Sequence, residues 1–130
     1  MEQVLFICVG NSSRSQMAEA LFNHLAQGRA RAVSAGTEPA RALDLNAVVV
    51  MAELGIDMSG QSPKPLTQEI VDGATRVISM GCGVEESCPV WAQPDEDWDL
   101  DDPHHQPIEV VRRIRDQIRA RVEALVRELA

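Results

Sequence analysis

QVLFICVGNSSRS, residues 3–15, runs from an unbroken apolar stretch into a Gly-Asn-Ser-Ser turn and then into the start of a helical pattern. Six apolar-rich residues ending in a loop read as a buried parallel strand. From Ser15 the apolar positions Met17, Ala18, Leu21, Phe22 and Leu25 fall on one helical face, and Gly28 is placed to stop the helix. The loop from Cys8 to Ser15 therefore feeds a helix N-terminus, with five residues between the cysteine and Arg14.

That arrangement has a chemical reading. Backbone N–H groups of Val9, Gly10, Asn11, Ser12, Ser13, Arg14 and Ser15 can converge on a tetrahedral anion, and the positive end of the helix dipole favours negative charge there. Gly10 lets the backbone turn, and Arg14 can hold two oxygens bidentately. The charge of Arg14 and the helix terminus together favour the thiolate form of Cys8, which makes it a nucleophile. The plain alternative is a buried strand cysteine beside a surface cation. The position of both residues at a strand-to-helix turn argues for the nucleophile.

Working outward, residues 31–35 predict a second strand closed by Gly36, and Leu45 to Leu54 a second helix closed by Gly55. Residues 67–72 predict a short helix and TRVISM, 75–80, a third strand that ends at Gly81-Cys82-Gly83. From Cys82 to Pro103 the chain is acidic and irregular, with one short strand expected at 98–100. Ile108, Val111, Ile114, Ile118, Val122, Leu125, Val126 and Leu129 recur at steps of three or four and predict a long final helix. Strands alternating with helices predict an α/β fold: a parallel sheet covered on both faces, with its ligand site beyond the carboxyl ends of the strands. A chain of 130 residues is expected to form one domain, 1–130, burying roughly two thirds of its unfolded surface.

Charge and cysteine usage narrow the function. Twelve Lys and Arg against twenty Asp and Glu give a net charge of −8, which opposes broad contact with nucleic acid or an anionic membrane. No stretch reaches the ~18 apolar residues of a membrane span and no signal peptide is evident, so a cytoplasmic location is expected. In that reducing compartment three cysteines, Cys8, Cys82 and Cys88, are more often catalytic or redox-active than structural.

The segment VLFICVGNSSRSQMAEALF resembles the start of arsenate reductases of the low-molecular-weight tyrosine phosphatase superfamily, in their thioredoxin-coupled form. The likeness continues through SAGTEP at 34–39, VISMGC at 77–82 and EDWDLDDP at 96–103, nearly the whole chain. It implies a three-layer α/β/α fold with a four-stranded parallel sheet in the order 2-1-3-4. It also implies Cys8 as nucleophile, Arg14 as oxyanion clamp, Asn11 as a brace of the loop and Ser15 as a hydrogen-bond partner of the thiolate. Arsenate is the implied substrate, with phosphate or sulfate as mimics, thioredoxin the implied reductant and a monomer the implied state. No metal and no cofactor are expected.

A proton donor is needed to expel water from the attacked centre. Among the carboxyls of Asp95 to Asp102, Asp102 stands apart because Pro103 restricts it to an extended conformation, and in the family the Asp before this Pro is the general acid. Asp102 is chosen over Asp101.

Reduction needs more than a phosphatase has, since a second thiol must attack the Cys8 sulfur. With strand 3 beside strand 1 at about 4.8 Å, Cys82 falls within the Cα range of roughly 4.4–6.8 Å that a disulfide needs. Gly81 and Gly83 give Cys82 freedom to move, and Cys88 can then take the disulfide outward, completing a three-thiol relay. The family's phosphatases carry a tyrosine pair after their Asp-Pro, whereas this chain has His104-His105 and no tyrosine.

Alternatives stay open here: a phosphatase acting on phosphate monoesters, a mycothiol- or glutathione-type arsenate transferase, a zinc cluster of Cys82, Cys88, His104 and His105, and a non-catalytic oxyanion sensor. Ser13 stands where many relatives carry a cysteine, and the Cys82-to-Cys88 gap is one residue shorter than in thioredoxin-coupled members. The shorter gap leaves a small thiol as a competing reductant.

Overall fold

A computed structural model describes residues 2–80 and 92–129. Strand β1 (Gln3–Cys8) leads through the turn into helix α1 (Arg14–Ala26), then β2 (Arg31–Gly36), α2 (Leu45–Ala52), α3 (Gln68–Asp72), β3 (Arg76–Ser79), β4 (Glu96–Asp97) and α4 (Ile108–Leu129). The strands form one parallel sheet in the order β2-β1-β3-β4, as expected. Central β1 pairs with both β2 (Cys8 opposite Gly36) and β3 (Ile7 opposite Ser79), so its carboxyl end is fixed from both sides.

Alternation along β1 decides which layer the cysteine enters. Val4, Phe6 and Cys8 point into the larger core, with Met17, Leu21 and Phe22 of α1, Val50 and Met51 of α2, and Val111, Ile114, Ile118 and Val122 of α4. Leu5 and Ile7 point the other way, into a smaller cluster with Val77, Ala35 and the partly buried Ile70 and Val71 of α3. The two clusters make the three layers, and Cys8 belongs to the side where α1 begins. Among the described residues no helix is long and apolar enough to cross a membrane.

The short strand differs from expectation, lying at 96–97 rather than 98–100. It lies there because β3 presents Ile78 and Ser79 to Glu96 and Asp97; the Trp98 backbone N–H adds one more bond, to the Ser79 carbonyl at 2.8 Å, while its ring turns inward, 5.4 Å from that of Phe6, with only 4% of the residue exposed. Asp95 accepts from the Val77 N–H at 2.8 Å and Asp97 accepts from the Ser79 hydroxyl, so acidic side chains tie the strand to β3. Helix α2 ends at Ala52, two residues earlier than predicted, and Gly55 (φ 77°) reverses the chain beyond it.

Helices α2 and α4 are joined by charge as well as by apolar contact. Arg115, 8% exposed, donates to the Val50 carbonyl (2.9 Å) and to Glu53 (2.7 Å), and Arg112 grips the same carboxylate through three bonds. The hydrogen bond from Arg112, helped by that from Arg115, holds the Glu53 carboxyl below its ordinary range.

Candidate active site

The loop after β1 is held from outside, through its carbonyls. The Cys8, Val9 and Gly10 carbonyls accept from the N–H groups of Thr37 (3.3 Å), Glu38 (2.9 Å) and Ala40 (2.9 Å), and the Ser12 carbonyl from Asp44 (3.0 Å). Asn11 O accepts from Gln16 Nε2 at 3.1 Å, and Ser13 O from the Met17 N–H at 2.8 Å. In a trans peptide the N–H of the next residue points opposite to the carbonyl. Carbonyls turned outward from Cys8 to Ser13 therefore turn the N–H groups of Val9 to Arg14 inward, as an anion cradle requires.

Gly36 makes this close approach possible. A Cβ on it would lie 2.7 Å from the Val9 carbonyl oxygen and 2.9 Å from Asn11 Cβ, so only glycine lets β2 pass beside the loop. In the sequence Gly36 reads only as the end of a strand. Its spacing role was hidden because the contact joins residues far apart in the chain.

Cys8 is 3% exposed at the base of the loop, and two donors converge on its sulfur. The Asn11 N–H points at Sγ from 3.2 Å, and the Ser15 hydroxyl lies 2.8 Å away. The direction of the second bond follows from a chain of partners. Asn11 Oδ1 accepts from the Lys64 backbone N–H (2.8 Å) and from Gln16 Nε2 (3.0 Å), which fixes the amide orientation. Its Nδ2 then donates to Ser15 Oγ at 2.7 Å, leaving the Ser15 proton free for the sulfur. An acceptor that receives an N–H and an O–H suits a thiolate. Asn11 itself sits at φ 49°, a left-handed conformation that asparagine tolerates better than most residues.

Further bracing lies behind the loop. Gln61 Nε2 donates to Gln16 Oε1 at 2.6 Å, and Gln16 Nε2 reaches the Ser62 carbonyl at 2.9 Å. Glu19 of α1 accepts from the Ser34 hydroxyl (2.7 Å) and faces the Lys64 ammonium at 3.6 Å. Asn11, Ser15 and Gln16 are fully buried with their hydrogen bonds made. Gln16, Gln61 and Lys64 were not expected from the sequence, where they read as ordinary polar residues.

A cavity of about 240 Å³ opens over this loop, lined by Cys8, Val9, Gly10, Ser12, Ser13, Arg14, Ala40, Asp102 and His104. Arg14 is 8% exposed; its Nη1 donates to the Leu100 carbonyl at 3.1 Å and its Nη2 lies 3.9 Å from the Asp102 carboxylate. Asp102 reaches the cavity from the far side, with 61% of its side chain exposed, while Asp101 is not among the lining residues. Cys8, Arg14 and Asp102 are thus brought to one cavity. Cys82, Cys88 and the relay expected of them lie outside the described residues, as does the cysteine half of the zinc alternative.

A strand-end cysteine inside a carbonyl-out loop, faced by an arginine and an aspartate, is matched by one family model over residues 3–130, described as low molecular weight phosphotyrosine protein phosphatase. The chain belongs to that family. Two similar proteins share the whole length. A protein of Synechocystis sp. named glutaredoxin arsenate reductase is 41% identical over 133 aligned positions, covering 100% of both chains. A solved structure described as an arsenate reductase in the phosphate-binding state superposes with a TM-score of 0.89 at 41% identity, again over 100% of both chains. A thioredoxin-dependent arsenate reductase of Corynebacterium glutamicum superposes with a TM-score of 0.82 at 35% identity, covering 99% of this chain and 62% of that one.

Proposed function

We propose that residues 1–130 act as one phosphatase-like arsenate reductase domain that converts arsenate to arsenite for detoxification. The observation that carries this is the converging pair of donors on Cys8 Sγ at the floor of a cavity also lined by Arg14 and Asp102. The two full-length matches at 41% identity, one named and one described as an arsenate reductase, support that substrate over a phosphate monoester.

In this reading the inward N–H groups and Arg14 bind the oxyanion, and Cys8 attacks arsenic. Asp102 protonates the departing oxygen, which leaves as water. The Cys82 thiolate then attacks the Cys8 sulfur. The S–As bond breaks with its electron pair staying on arsenic, so As(V) becomes As(III) and a Cys8–Cys82 disulfide forms. Cys88 attacks Cys82, releasing Cys8 and leaving Cys82–Cys88 for an external thiol to reduce. The name of the Synechocystis relative favours a glutaredoxin-linked reductant over the thioredoxin expected from sequence.

Purified protein with arsenate tests both parts. Turnover is expected with glutathione plus glutaredoxin, and faster turnover with thioredoxin kept reduced by its reductase and NADPH would reverse the choice of reductant. Cys82→Ser should form the adduct but release no arsenite. Cys88→Ser should release one arsenite per chain and stop as a Cys8–Cys82 disulfide, read by mass mapping. Multiple turnover by Cys82→Ser defeats the relay. A second reading, hydrolysis of phosphate monoesters, is favoured by the family itself and predicts aryl phosphate turnover that survives loss of both Cys82 and Cys88.

A further inference from the structure

Gln16 lies in the first turn of α1, fully buried, and is not among the residues lining the Cys8 cavity. Its amide nevertheless reaches two different parts of the loop. Nε2 carries two hydrogens. It lies within hydrogen-bond distance of three oxygens: the Asn11 carbonyl (3.1 Å), Asn11 Oδ1 (3.0 Å) and the Ser62 carbonyl (2.9 Å). The bond to the Asn11 carbonyl turns that peptide outward, and with it the Ser12 N–H inward. The bond to Oδ1 keeps the oxygen of the Asn11 amide on the Gln16 side, so Nδ2 faces Ser15 Oγ at 2.7 Å and the Ser15 proton faces the Cys8 sulfur.

Gln16 depends in turn on a residue 45 positions away. Gln61 Nε2 donates to Gln16 Oε1 at 2.6 Å and to the Gln16 carbonyl at 3.2 Å, which holds the oxygen end of the Gln16 amide away from Asn11. The turn that presents Gln61 is closed by its own N–H on the Met58 carbonyl (3.0 Å), and Met58 is fully buried. Removing the Gln61 amide takes a donor from a buried oxygen, a loss that drives the Gln16 amide to turn or shift toward water.

We propose that Gln16 is a positioning residue for the arsenate reaction, orienting through Asn11 both the hydroxyl donor on the Cys8 sulfur and one peptide of the anion cradle, with Gln61 as its anchor. This rests on the proposed oxyanion chemistry of the Cys8–Ser15 loop. The two actions are measured apart. Alkylation of Cys8 by iodoacetamide, with no anion present, reads the donor on the sulfur. Sulfate affinity by titration calorimetry in a Cys8→Ser background reads the cradle without the thiol.

Gln16→Met keeps the length of the side chain and removes its polar atoms. It is expected to slow Cys8 alkylation and to weaken sulfate binding, each about 3–10-fold, the worth of one ordinary hydrogen bond. A double-mutant cycle separates this from a merely structural role. Once Ser15→Ala has removed the hydroxyl, Gln16→Met should change the alkylation rate less than about twofold, because Asn11 has nothing left to orient. Gln61→Met should lower both quantities in the same direction. Gln61→Lys returns an N–H donor to the two Gln16 oxygens and should recover most of that loss; Gln61 borders a second cavity of about 380 Å³, so either side chain has room. Additive effects of Gln16→Met and Ser15→Ala, or wild-type alkylation and sulfate affinity in Gln16→Met, overturn the role of Gln16. If Gln16→Met does not fold, the Gln61 pair decides, and equal values for Gln61→Met and Gln61→Lys overturn it. No sulfate binding by Cys8→Ser with Gln16 in place overturns the oxyanion reading itself.

Discussion

From Cys8 to Ser13 every backbone carbonyl is engaged, four of them by the 37–44 segment, whereas from Leu100 to His105 the chain is mostly exposed and held by few bonds. Both segments border one cavity. The contrast fits the roles proposed for the two segments. A cradle for a charged transition state works through dipoles already aligned, and peptides whose carbonyls are already bonded cost little reorganisation when charge develops. A proton donor has to be reloaded from water at each cycle, so a half-exposed carboxyl serves where a buried one would not.

Breaking the exposed side should have the largest effect on turnover. Asp102→Asn is expected to lower kcat for arsenate roughly 10²–10⁴-fold, with Asp101→Asn close to wild type. A crippled Asp101→Asn beside an active Asp102→Asn would move the acid by one residue. The buried side should respond next. Arg14→Lys keeps the charge but loses the planar fork, and roughly 10²–10³-fold in kcat/KM should go with it. Wild-type kinetics in that variant would mean the guanidinium is not the clamp.

Gly36→Ala sharpens the comparison because it touches no substrate. Its Cβ would overlap the Val9 carbonyl and Asn11, so the loop or β2 must shift, at about 1–3 kcal/mol by thermal unfolding. Phosphate affinity should fall as well, since the same shift misaligns the inward N–H groups. Unchanged stability and affinity would show that the loop is less constrained than its outer bonds indicate.

The local pattern of QVLFICVGNSSRS is enough to place a strand, a turn and a helix in order, because the strand's apolar run and the helix's apolar face are properties of neighbouring residues. The same holds for α4, whose period is unbroken over 22 residues. The sheet order came from resemblance, not from periodicity, and the strand at 96–97 was misplaced because two ladder pairs leave almost no pattern to read. What no local signal carries is how the loop is braced. Gly36 against Val9, Lys64 on Asn11, Gln61 on Gln16 and Leu100 on Arg14 all join residues at least 27 positions apart, and His104 reaches the Cys8 cavity from nearly 100 residues away. Residue type and spacing along the chain determined which groups could do the chemistry. Only packing decided which peptide N–H groups turn inward and which distant side chains hold the loop, since those contacts exist only once the sheet has brought its carboxyl ends together.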